Sequence, residues 1–175
     1  MARLYSSKGK RELPSLSYRK TALGIVAAVV VLLIILLNLF TNVFSVVRYY
    51  GDGMEPALQN GQILIIRKTN QVEPGDMVAH YFNNKILVRR VICDGGNSIS
   101  IDEAGYVTVN NTPLDEPYVT APSLGQCNIT FPYTVSVGHY FVMGDNRAIA
   151  MDSRLSEIGT VSSDRILGKI LFVLG

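Results

Sequence analysis

Gly144-Asp145-Asn146-Arg147-Ala148-Ile149-Ala150-Met151-Asp152-Ser153-Arg154 follows neither the helical period nor the two-residue alternation of a strand. It holds two Asp/Arg pairs, Asp145 with Arg147 and Asp152 with Arg154, in a loop opened by glycine. Bidentate carboxylate–guanidinium pairs fix geometry well. Outward from the loop lie short apolar runs. Tyr140 to Met143 precedes it and Ile166 to Leu174 follows it. Further upstream come Ile63 to Ile66, Met77 to Phe82, Lys85 to Ile92, Ser98 to Ile101, Tyr106 to Val109 and Tyr133 to Val137. Turn residues punctuate them, among them Glu73-Pro74-Gly75-Asp76 and Asn83-Asn84. This pattern predicts a mainly β domain, a sandwich or partly closed barrel of antiparallel strands. Leu155 to Gly159 reads as a single helical turn.

Ahead of the strands, Ala22 to Leu37 carries no charged or strongly polar side chain. Asn38 and Asn42 interrupt the run, and Leu39, Phe40, Val43, Phe44, Val46 and Val47 extend it. About 20 mainly apolar residues cross a bilayer core. A cleavable leader has a shorter apolar region and a small-residue cleavage site, and nothing like Ala-x-Ala follows Phe44. The organisation expected is a basic tail over 1–20, a transmembrane helix over 21–47 and a β domain over 48–175. Residues 1–20 hold six basic side chains against Glu12, a net +5 in a chain whose total is +2. Basic flanks stay cytoplasmic, which places the N-terminus inside the plasma membrane and the β domain outside. The tail needs no nucleic acid to explain it; anionic membrane lipid suffices. His80 and His139 are isolated and lack ligand spacing, so neither a metal nor a cofactor is expected. Cys93 and Cys127 fall in the exported part, where a disulfide can persist, and their pairing is left open. Asn110-Asn111-Thr112 and Asn128-Ile129-Thr130 match the glycosylation pattern, which short chance matches produce often.

Two further blocks complete the reading. Gly51-Asp52-Gly53-Met54-Glu55-Pro56-Ala57-Leu58 follows the apolar segment, and Arg89-Arg90-Val91-Ile92-Cys93-Asp94-Gly95-Gly96 comes next. These two and the Gly144–Arg154 block, in this order behind an N-terminal anchor, resemble type I signal peptidases, the serine/lysine endopeptidases. The resemblance covers about residues 20–175. It puts the nucleophilic serine at Gly53, the general-base lysine at Arg89, a lysine-orienting serine at Ala150 and an oxyanion-hole position at Gly51. None of the four carries the family's working side chain. Glycine has no hydroxyl, and guanidinium stays protonated and cannot accept a proton. The scaffold residues Asp145, Arg147, Asp152 and Arg154 remain.

What the resemblance implies is a substrate groove at Gly51, Asp52, Gly53, Met54, Leu87 and Arg89 that takes an extended segment as an added strand. Strand addition needs no nucleophile. The first reading is therefore a catalytically inactive, membrane-anchored homologue binding segments of exported proteins or pilins. It resembles the degenerate signal-peptidase-like proteins of Gram-positive pilus assembly, with sortase-linked machinery as a partner. The alternative is an active signal peptidase using unorthodox residues. Asp52, Ser153, Ser45 and Lys85 are the side chains such a reading would need; Lys85, four strand residues from Arg89, stands about 13 Å away.

Overall fold

The computed structural model describes residues 16–175. Most of the tail expected over 1–20 therefore lies outside the described residues. Helix α1 spans Leu16–Val43. Within its stretch Arg19–Val43 an 18-residue window reaches a mean hydropathy of 3.1, and none of that window is buried within the protein. Twenty-five residues rise about 37 Å, enough to cross a hydrocarbon core of about 30 Å. Asn38 is tolerated because its amide donates to the Ile34 carbonyl at 2.9 Å, and Thr41 Oγ1 donates to Asn38 O at 3.1 Å. Both polar groups are thus satisfied within the helix.

The apolar character does not end with the helix. Phe44–Arg48 forms strand β1, pairing antiparallel with β2, Ile63–Arg67. The helix therefore ends four residues before position 47. Val47 packs against a core that includes Tyr49, Met54, Leu58 and Leu64, so tertiary packing claims these β-branched residues as strand.

The β domain continues with β3 Met77–Phe82, β4 Lys85–Asp94, β5 Ser98–Ile101, β6 Val107–Val109, β7 Thr112–Pro113 and β8 Tyr133–Thr134. Strands β9 His139–Met143, β10 Val161–Ser162 and β11 Ile166–Leu174 complete it. A seven-stranded sheet runs β1-β2-β11-β3-β4-β9-β10, and a four-stranded sheet runs β7-β6-β5-β8. Every pairing is antiparallel. The domain is mainly β, with hairpins made by asparagine. Asn83 and Asn84 have φ of 44° and 58° between β3 and β4, and Asn110 and Asn111 have 52° and 64° between β6 and β7. Two consecutive left-handed residues make the turn whose twist matches a hairpin. Asn110 thus has a structural role independent of any glycan. Leu155–Gly159, expected as a helical turn, is a hydrogen-bonded turn and not a helix, with Gly159 N–H donating to Leu155 O at 2.8 Å. Cys93, buried, and Cys127, half-buried, are free thiols.

One core residue couples the fold to pH. His80 on β3 is 1% exposed, and neither ring nitrogen has a partner. Burial, then the positive charge of Arg89, lowers its pKa to about 4. The unfolded chain takes up this proton as pH falls through about 6.5, whereas the folded chain resists until about 4. Stability is complete above pH 6.5 and declines as pH drops through that window, by on the order of 3 kcal/mol. Denaturant midpoints at pH 7 and 4.5 should show this slope, and His80→Leu should flatten it.

Candidate functional site

The site is assembled by β4, the segment after β1 and the loop after β9. Gly53 follows β1, where Asn146 N–H donates to Gly53 O at 3.1 Å and the Asn146 amide donates to Asp52 O at 3.2 Å. These bonds clasp the two segments together. Glycine at 144 is what allows the approach. A Cβ there would stand 2.4 Å from Gly53 O and 2.3 Å from the Ala150 Cβ, inside any real contact distance.

The loop is braced from within and without. Asp152, fully buried, takes Arg154 Nε on one oxygen and Nη2 on the other, both at 2.8 Å. Asp152 Oδ2 also accepts Gly144 N–H at 2.9 Å. Arg154 Nη1 reaches Leu124 O at 2.7 Å and Arg147 O at 2.9 Å. The other Asp/Arg pair expected within the loop does not form. Asp145 instead takes a bidentate pair from Arg90 of β4, with Nε at 2.8 Å and Nη2 at 2.5 Å. Arg147 is paired bidentately with Glu116. The physical reason is reach: both partners approach from neighbouring segments at the right angle, with Arg90 also stacked over the Tyr118 ring at 4.1 Å. Arg90, Glu116 and Tyr118 were missed by sequence reasoning. Arg90 stood in view beside Arg89, but nothing local tied Glu116 to position 147.

Arg89 and Arg90 are consecutive strand residues and so point to opposite faces. Arg90 goes to the loop's charges; Arg89 goes to Gly53. If Gly53 carried a Cβ, it would lie 3.4 Å from both Arg89 Nη1 and Nη2, and 3.5 Å from the Ala150 Cβ. Three residues far apart in sequence thus meet at one point. Arg89 is 7% exposed. Its Nε donates to Met151 O at 2.9 Å and its Nη1 to Val88 O at 2.6 Å. Burial, before any other influence, lowers its pKa from the usual arginine range. Tyr49, also buried, accepts Met54 N–H on its hydroxyl at 3.2 Å, and burial raises its pKa.

This meeting point lies in a cavity of about 310 Å³. Gly51, Asp52, Gly53, Leu87, Arg89 and Ala150 all line it. Met54 does not; it is fully buried in the core beneath. Phe82, Ile86, Ile149, Met151 and Tyr49, not foreseen, add mostly apolar wall. Gly51 has φ of +115°, a conformation that disfavours any side chain there. Ser153 is 1% exposed, with its Oγ accepting Val142 N–H at 3.0 Å, so it is closed to substrate. Chemically, the cavity offers an apolar slot, a positive charge and no hydroxyl beside a base.

Among the described residues, one helix long and apolar enough to cross a membrane precedes an antiparallel β domain whose braced loop borders the cavity. The chain belongs to the signal peptidase family, peptidase S26, whose family model matches residues 22–174. It is 34% identical over 165 residues to signal peptidase I T of Bacillus subtilis, covering 86% of this chain and 82% of that one. Signal peptidase I of Bacillus amyloliquefaciens is 33% identical over 143 residues, covering 70% of this chain and 69% of that protein. Signal peptidase I S of Bacillus subtilis is 28% identical over 171 residues, covering 91% and 92%. Among solved structures, a signal peptidase I from Enterococcus faecalis V583 aligns with a TM-score of 0.49 at 24% identity, over 58% of this chain and 97% of that one.

Proposed function

We propose that this protein is a membrane-tethered signal-peptidase homologue that holds extended segments of exported proteins without cleaving them. The observation that carries the reading is the pairing of Gly53 with Arg89, 3.4 Å from where a side chain would begin. The attacking hydroxyl and the proton acceptor are both absent from the place where the family's chemistry would occur. A cavity and a braced loop beside it are nevertheless present at that place. Strand addition gains affinity from main-chain hydrogen bonds and specificity from side-chain pockets, and neither depends on a nucleophile. The client class we favour is pilins or other surface proteins, handed on to sortase-linked assembly. The net +5 of residues 1–20 favours an N-terminus inside and a β domain outside the plasma membrane.

Filling the cavity tests the reading in cells. Gly53 does not sit at a left-handed φ, and a Cβ there meets only ordinary contacts. Gly53→Trp is expected to keep the fold while its indole occupies the slot. In a deletion strain it should leave membrane levels of the protein unchanged and abolish surface-polymer assembly. Full complementation by this variant would show that the groove is not the working surface.

A further inference from the structure

Two stretches of strand edge in the β domain have no neighbouring strand among the described residues. Strand β1 is the outer strand of the seven-stranded sheet. Strand β4 pairs with β9 only from Arg90 onward, so residues 85–89 leave that edge free. Residues of both edges line a second cavity, of about 520 Å³. Val47, Arg48 and Asn84 belong to it alone, whereas Tyr49, Tyr50 and residues 85–88 also line the cavity at Gly53. An extended segment seated at Gly53 can therefore run on into the second space.

That space carries one sign of charge. Arg48 and Lys85 line it, and no aspartate or glutamate does among the described residues. Asp52 lines the cavity at Gly53 and not this one. Both cations are exposed, and neither is in an ion pair among the described residues. Arg48 is nevertheless held in place. Its Nε donates to Gly61 O at 3.0 Å, and its guanidinium carbon lies 5.9 Å from the centre of the Tyr50 ring. These contacts use one of five donors and neutralise no charge. Lys85 opens β4 directly after the Asn83-Asn84 turn, which fixes its backbone. Between the two cations the wall is apolar, with Val47, Ile86, Leu87 and Val88. Low-dielectric walls carrying charge of one sign focus the field on what enters.

We propose that Arg48 and Lys85 form a subsite for an acidic side chain, so that the groove selects segments bearing an aspartate or glutamate. The inference rests on the reading of the groove as a peptide-binding site and adds which segments it takes. A carboxylate gains charge-assisted bonds from both cations. A small apolar side chain gains nothing from them, and a lysine is repelled. Lys85 precedes Arg89 by about 13 Å of strand. The acidic residue therefore falls about four residues from the one seated beside Gly53.

The test uses the full chain in neutral detergent and fluorescent, end-capped dodecapeptides randomised over alanine, serine, valine and leucine. The sixth residue is fixed as glutamate, glutamine or lysine, and the register in the groove is free to shift until that residue meets the two cations. The glutamate form is expected to bind about fivefold more tightly than the glutamine form, the effect of two exposed ion pairs. The lysine form should bind more weakly than either. Raising the ionic strength from about 0.05 M to about 0.5 M should shrink the preference. Lys85→Glu should reverse the order of the charged forms, and Arg48→Gln should reduce the advantage of glutamate. Unchanged affinity for the glutamine form reports that each variant keeps its groove. Equal binding of all three forms by the unaltered chain would overturn the acidic subsite while leaving the groove reading standing. A glutamate preference untouched by both substitutions would overturn its assignment to Arg48 and Lys85. Binding of none of the forms would overturn both readings.

Discussion

Asp152→Ala is expected to destabilise the β domain by about 3–5 kcal/mol, the cost of stranding one member of a buried ion pair. Arg154 is fully buried and would lose both of its 2.8 Å bonds to the carboxylate. Gly144 N–H would lose its acceptor as well, and that glycine is the point at which the loop touches Gly53. Removing both charges with Asp152→Leu and Arg154→Met should recover only part of the loss. Arg154 also satisfies the carbonyls of Leu124 and Arg147, which no apolar side chain can do. Urea unfolding of the full chain in detergent measures both variants. A loss below about 1 kcal/mol for Asp152→Ala would show that the loop is held by other means.

Gly53→Ser by itself is expected to leave the protein without peptidase activity. The new hydroxyl would lie against a guanidinium, which has no lone pair to take its proton. Pairing it with Arg89→Lys supplies a base whose pKa burial can lower. A positioned base contributes about 10²–10⁴ in rate, and the double variant should exceed the single one by that factor. It should still be slow. Ala150 gives the lysine no hydroxyl to orient it, and Gly51 at φ +115° offers no side chain to an oxyanion. Adding Ala150→Ser should raise the rate further. Cleavage of a secretory precursor followed by mass spectrometry of the new ends measures the series, and a double variant no faster than Gly53→Ser would refute the assignment of position 89.

Much of the fold could be read from alternation and turn residues. The runs at Met77–Phe82, Ser98–Ile101 and Ile166–Leu174 coincide with β3, β5 and β11. Strand β1 was not legible, because Phe44–Arg48 continues an apolar run and hydrophobicity alone does not separate helix from strand. Tyr133 to Val137 shrank to the two residues of β8, since the chain there serves only the short edge of the smaller sheet. The meeting of Gly53, Arg89 and Ala150 was accessible only through the family resemblance, as no local pattern links them. The loop's charges illustrate the limit most clearly. Four alternating charges suggested two internal pairs, but Asp145 and Arg147 found Arg90 and Glu116 across space. Spacing shows which residues are able to pair, and packing chooses among them. For the same reason Tyr49 and Met151, which frame Arg89, went unforeseen.

The central claim is that this groove binds and does not cut. The direct measurement incubates the purified full chain with a secretory precursor carrying a photo-crosslinker near its processing region, and reads cross-linking and cleavage in one gel. The account predicts a specific cross-link to the β domain and an intact precursor after prolonged incubation. Cleavage at one defined bond, lost on Asp52→Asn or Arg89→Gln, would contradict it.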